Sequence, residues 1–325
     1  MSEFLVNITG SGPAAATMKI WAGIALLGVL GFVLGFALNQ GSICTVIATR
    51  ELVSEKRPAR FIVLVEGAVL AALVYAILKA SPTMPQGWLP LAYLVPAAML
   101  FGLGTYLNGA CVFGSVGHIG NGEIDFGFAF LGIFAVFYAE SLFDLVPDQP
   151  PTSASLPVGP ALIALALLAV LALRFGVSRR SESNFMRLTL SMGAIGITFT
   201  LVAIFEPGFS ITAPIGSIVS IPVAGAVISV CMFAGSFASA RFMRRRFTLK
   251  WPTVKTAVRR TLAGTLMGLG ALLIPGGNDT LLMIGLPMGA WQAVLAYVLF
   301  VATLAVLIAK FGSMAKSWSC GDTKR

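Results

Sequence analysis

Cys44 ends the stretch Gly-Ser-Ile-Cys at 41–44, and Cys111 ends Gly-Ala-Cys at 109–111. Each thiol follows a glycine just where a long apolar run stops. A neutral thiol is a weak hydrogen-bond donor and acceptor, and it carries no charge to repel an anion. The plain alternative is that each is a small buried hydrophobe, the usual state of a free cysteine. Cys231 lies inside an uninterrupted apolar run and reads as packing, and Cys320, near the end, reads as an incidental thiol. The four cysteines make no CxxC pair and no metal spacing, and a lone histidine, His118, argues against a histidine-based metal site. No nucleotide-binding motif occurs, so no cofactor and no direct use of ATP are expected.

The elements that must position these thiols are membrane spans. Hydrophobic residues make up 57% of the 325, and charged residues 11%, against about 25% in soluble domains. Apolar runs recur along the whole chain, which predicts an all-α polytopic membrane protein lying in the lipid bilayer as one transport domain, 1–325. Nine spans are read at roughly 17–39, 61–80, 90–108, 126–146, 157–177, 186–206, 219–240, 257–274 and 288–310. Basic residues cluster after the first span (Arg50, Lys56, Arg57, Arg60), the fifth (Arg179, Arg180, Arg187), the seventh (Arg241, Arg244, Arg245, Arg246, Lys250, Lys255) and in the tail 311–325. The connections after the second, fourth, sixth and eighth carry almost none. That alternation places the N-terminus outside and the tail in the cytoplasm. The net charge of +9 is confined to short connections, which leaves little support for a nucleic-acid partner.

The chain resembles itself. FGLGTYLNGAC at 101–111 parallels MGLGALLIPGG at 267–277, 166 residues later, and Gly41 parallels Gly208, 167 residues later. A first half, 17–146, and a second, 186–310, are expected to be a duplicated four-span unit. The single span 157–177 between them inverts the second copy.

Glycine-rich stretches within spans often mean close helix packing, and GVLGFVLGF at 28–36 reads that way. The segment 107–122 has too many glycines for that and reads as irregular backbone. Four such breaks are expected at 39–49, 107–122, 206–217 and 275–287, as re-entrant elements meeting near the midplane. Their free backbone N–H groups would offer an anion partners without formal charge. Gly41, Gly109, Gly276, Gly277 and Asn278 are assigned to that path with the two thiols. Asp279 is assigned there as well, as the cap of a short helix. Glu66 and His118, ionisable groups in or beside spans, are candidates for proton coupling. Glu66 pairing with an arginine and His118 packing in its loop are the plainer readings.

The order G-x-x-C before a basic connection, then G-x-G-x-x-x-x-G-A-C and a Gly-rich turn, then G-x-G-A-x-x-x-P-G-G-N-D, resembles the YeeE/YedE family of sulfur-transport membrane proteins over roughly residues 20–310. The resemblance implies nine spans with short re-entrant helices in an inverted repeat. It also implies thiosulfate uptake through a path gated by cysteines that hand the anion along by S–H···S contacts, with Cys44 and Cys111 as the first-half pair. A small cytoplasmic sulfur carrier of the TusA type is an implied partner, and the basic segment 241–260 is a candidate dock for it, though lipid headgroups account for its charge equally well. The family's third cysteine, in the second half, is missing here: Gly277 stands opposite Cys111 and Ile211 opposite Cys44. The chain therefore reads as a permease for thiosulfate or a related small sulfur anion, not an enzyme. Two alternatives stay open. One is a membrane sulfurtransferase passing persulfide sulfur to a carrier. The other is a permease for sulfite, sulfide or a selenium anion in which the cysteines only pack.

Overall fold

In a computed structural model, residues 13–144, 146–147, 149–154, 156–178, 185–212, 222–242 and 249–312 are described, with side chains from Ile20 in the first helix and from Val223 in the ninth. The long helices are α1 (Pro13–Gly41), α3 (Ala59–Leu78), α4 (Leu91–Asn108), α6 (Gly127–Phe143), α7 (Pro160–Ser178), α8 (Phe185–Phe205), α9 (Pro222–Phe242), α10 (Val254–Leu273) and α12 (Trp291–Phe311). Three short elements interrupt them: α2 (Thr45–Ser54), α5 (Val112–Gly120) and α11 (Asn278–Thr280), the last running into a π-helical turn, Leu281–Gly285. A two-residue antiparallel pairing of β1 (Thr83–Met84) with β2 (Thr152–Ser153) joins two connections.

Eight segments are long and apolar enough to cross a bilayer, and α10 with the α11 turn makes a ninth across a 50° bend. The protein is thus an all-α polytopic membrane protein. The breaks are shorter than expected, and in the first half they do not turn back. Ile20–Ser54 and Leu91–Gly120 each run on as one interrupted apolar segment of 35 and 30 residues. At 1.5 Å per residue the first is roughly 50 Å long, more than the ~30 Å hydrocarbon core. Its charged end, Arg50 to Glu55, therefore projects from the bilayer.

Glycines set the closest helix crossings. A Cβ on Gly31 would stand 2.7 Å from the Ile228 carbonyl oxygen of α9, and one on Gly35 would overlap Met232 of the same helix. The 28–36 stretch packs as its sequence predicted. Likewise Gly104 of α4 meets the Ala263 carbonyl of α10, and Gly264 of α10 meets that of Ala129 in α6. Small residues let backbones approach where lipid supplies no hydrophobic drive between helices. The pairings are α1 with α9 and α3 with α8, α10 with α6 and α4 with α12, and, across the middle, α1 with α8 and α4 with α10.

Helix α7 is the exception, packing mainly on α3. It is pinned by Arg174, whose Nε lies 3.1 Å from Glu66 Oε2 with both side chains buried and whose guanidinium sits 4.3 Å from the centre of the Phe185 ring. Glu66 thus meets an arginine of the linking span. Removing one member leaves a buried charge unpaired. Glu66→Ala is expected to lower stability by about 3 kcal/mol, the low end for such pairs because the contact lacks hydrogen-bond geometry. The double change Glu66→Met with Arg174→Met is expected to recover most of the loss. Thermal unfolding of the detergent-solubilised protein reads both.

Candidate functional site

Helix α1 ends where Ser42 takes a left-handed conformation (φ 49°), and α4 ends at Gly109 (φ 78°). Each break leaves a cysteine as the residue before the next helix: Cys44 before α2 and Cys111 before α5, both extended. Neither thiol caps its own helix. Instead each accepts from the other break. The Cys111 N–H donates to Cys44 Sγ at 3.4 Å, and the Thr45 N–H donates to Cys111 Sγ at 3.4 Å. The two thiols are buried, reduced and in side-chain contact. Sulfur thus satisfies two amides that the breaks would otherwise leave bare.

Near the pair, the Thr45 and Tyr297 hydroxyls interact with one another without a hydrogen bond of good geometry, and in the second half the buried Asn278 carboxamide is unpartnered at both atoms. Tyr297 sits close enough to Thr45 and both thiols to feel them electrostatically. Buried donors without a good partner are uncommon and cost about 1–3 kcal/mol each, so they invite a polar visitor. A cavity of about 10 Å³ touches Cys44, bounded by Ser42, Arg60, Leu64 and Leu188. It has room for about one water, so a larger anion passes Cys44 only if the leucines move. Arg60 donates to the Ser42 carbonyl at 3.2 Å and pairs with Glu51 at 2.8 Å, which sets a cation beside that cavity.

The segment 112–120 is helical, contrary to the irregular backbone expected of it. Its glycines buy close approach: a Cβ on Gly114 would stand 2.6 Å from Cys44 Sγ, and one on Gly120 would overlap Ser236 of α9. Gly114→Ala is expected to push the Cys44 thiol aside and abolish transport at normal expression, while Gly127→Ala, with open space around it, leaves transport intact. An uptake assay on the two variants checks this.

In the second half Asp279 does the stitching. Its carboxylate accepts from the Ile211 N–H at 2.6 Å, the Ser210 hydroxyl at 3.0 Å and the Thr212 hydroxyl. It does not cap α11, whose N-cap is Gly277 with no side-chain bond. The reason is reach: the carboxylate faces the neighbouring break, as the Cys111 thiol does in the first half. Gly109 and Gly276, assigned as bare amide donors, give their N–H groups back to their own helices, to Thr105 and Ala271. Gly109 is the left-handed stop of α4 (φ 78°), and Gly276 is a left-handed turn residue (φ 83°) beyond the end of α10. Gly41 packs against Ser191, and Gly277 against Thr212. The break 206–217 is described only to Thr212, and Cys320 and the Arg244–Arg246 run lie outside the described residues.

Sequence reasoning passed over Arg260. Buried in α10, it donates through Nε to Asp125 at 2.7 Å and through a terminal nitrogen to the Asn108 carbonyl and, at 3.0 Å, to Asn108 Oδ1. Its guanidinium lies 3.3 Å from the centre of the Phe126 ring, and His118 stacks on Phe126 at 3.9 Å. His118 also pairs with Glu123, which reaches Lys250 at 2.5 Å. Burial works to raise the Glu123 carboxyl, but His118 and Lys250 overcome it and hold it down at about 2. The contribution of this pairing is therefore complete above the ordinary carboxylate range and fades only as pH falls toward about 2. A basic residue early in a span was the signal available for Arg260.

A family model described as Sulphur transport matches residues 40–183 and again 150–306. The chain is also similar to the thiosulfate transporter TsuA of Spirochaeta thermophila, 25% identical, in an alignment covering 87% of this chain and 96% of that protein. Together the two matches run from the first cysteine break through the last helix: the chain belongs to the Sulphur transport family.

Proposed function

We propose that this protein is a permease carrying thiosulfate, or a closely related small sulfur anion, into the cell past Cys44 and Cys111. The observation that carries the reading is the reciprocal thiol–amide contact between two broken spans, beside the buried, weakly bonded Thr45 and Tyr297 hydroxyls. A sulfur-bearing anion would exchange its water for S–H, N–H and O–H donors. In the second half no break cysteine is present, and Asn278, next to Gly277, would offer a neutral N–H donor to the anion's oxygens. Asp279 is taken up by four donors from the neighbouring break, which keeps it a stitch rather than a contact.

The reciprocal helix pairing and the twofold family match support two inverted halves, 17–146 and 186–310. The basic connections support a tail on the cytoplasmic side of the inner membrane, where a TusA-type carrier would meet the transported anion. Uptake of sulfur-labelled thiosulfate by cells lacking other sulfate and thiosulfate importers tests the whole reading, with sulfite and selenium anions as competitors. No uptake above the empty-vector level would reject it.

Contact between the two thiols favours one second reading, a sulfurtransferase. A persulfide adds about 32 Da to a cysteine, so mass spectrometry of Cys44 and Cys111 peptides after turnover separates the two. Unmodified thiols are the outcome expected of a permease.

A further inference from the structure

The linking helix α7 is held by little protein. Its buried side chains are Ile163 and Arg174, and its main neighbour is α3. Helices α3, α7 and α12 do not close on one another, and the gap between them is a groove of about 760 Å³. Val65, Leu162 and Val298 at its rim are 43, 61 and 57% exposed, whereas Ala68 and Tyr297 at its floor are 7 and 8% exposed. The groove therefore runs from the lipid-facing surface into the bundle. No lining residue is charged, and Tyr297 supplies the one polar side chain.

Water has almost nothing to bond there, and apolar cavities stay dry. A membrane-spanning helix, ~10–12 Å across and ~30 Å long, would need roughly 2,500 Å³, about three times the space available. A whole span does not fit inside it. A flexible alkyl chain has the right chemistry, and the groove lies within the ~300–1,000 Å³ of small-ligand sites.

We propose that the groove is a lipid site: one acyl chain of a bilayer phospholipid enters between α7 and α12, reaches Ala68, and holds the linking span against the bundle. The chain end lies against two parts of the transport machinery. One is Tyr297, close to Thr45 and the thiol pair; the other is the π-helical turn after Asn278, through Leu282. Occupancy of the groove thus bears on both breaks. The inference rests on the membrane fold and not on which anion is carried.

The test uses the full chain in nanodiscs made with a phosphatidylcholine carrying a photoactivatable diazirine in its acyl chain. Adducts are mapped by peptide mass spectrometry. Labelling of the groove segments 61–72, 158–166 and 294–302 is expected to exceed, several-fold, that of equally exposed Leu131 and Leu190 outside it. Ala68→Trp and Ala302→Trp fill the groove and are expected to bring its labelling down to the outside level. Should either variant fail to elute as a single species, the contrast within the wild-type protein decides alone. Even labelling around the whole belt, groove labelling unchanged by the tryptophans, or cross-links to a second copy in place of lipid would each overturn the proposal.

Discussion

Cys111→Ala is expected to lower thiosulfate uptake roughly 10- to 100-fold at matched expression, from the ~1–3 kcal/mol lost when a buried donor has no acceptor. The Thr45 N–H would lose its only sulfur acceptor, and a passing anion would lose its S–H donor at the point where the two breaks touch. Cys44→Ala removes the reciprocal contact to the Cys111 N–H and is expected to act similarly. The double variant should fall little below either single one, because the two thiols form one unit. Cys111→Ser distinguishes the causes. Full recovery would mean that a hydroxyl acceptor suffices, while continued loss would mean that the soft sulfur itself is needed. Cys231, half-buried against the α1–α9 crossing near Gly28, is the internal control, and Cys231→Ala is expected to transport normally. Wild-type rates in both single variants would return the cysteines to packing and leave selectivity to the Thr45 and Tyr297 hydroxyls and Asn278.

Arg260→Ala is expected to cost about 3–5 kcal/mol, the range for breaking a buried ion pair from one side. Four things depend on that guanidinium at once: Asp125, the Asn108 carbonyl, Asn108 Oδ1 and the face of Phe126. Asn108 in turn donates to the Ala110 carbonyl at 2.9 Å and to the Ser115 hydroxyl at 3.0 Å. The arginine therefore holds the turn that carries Cys111. Arg260→Lys keeps the charge but cannot fork between Asp125 and Asn108, so it should recover only a minor part of the loss. Thermal unfolding of the purified protein in detergent measures both, and lowered uptake beyond the loss of folded protein would report the displaced turn. An unchanged melting midpoint in Arg260→Ala would sink this account.

The two expectations concern residues that differ in how far the chain announces them. Cys44 and Cys111 stand out because a thiol after a glycine at the end of an apolar run is visible locally. Arg260 is one of several basic residues at the start of a span, and nothing local separates it from Arg259. Its partners lie 135 and 152 residues away. The same holds for Glu66, whose partner Arg174 belongs to a helix that sequence reading treated as a mere connection.

Length of apolar run, glycine and charge are local properties, and a bilayer imposes one rule on each of them. A span must be about 20 apolar residues, its backbone must bond within itself, and it breaks where glycine or serine permits a left-handed turn. The positions of the nine long helices, the existence of breaks after α4 and α10, and the glycine ridge of α1 were therefore legible from the residues alone. What the breaks do to each other was not. Whether 112–120 coils into a helix depended on Cys44 and Ser236 coming close enough that only glycine fits at 114 and 120. Whether Asp279 capped its own helix or stitched a neighbouring break depended on Ser210, Ile211 and Thr212 being presented to it from α8. Such contacts are made by packing helices that are distant in the chain, and no local pattern encodes which N–H will face which sulfur or carboxylate.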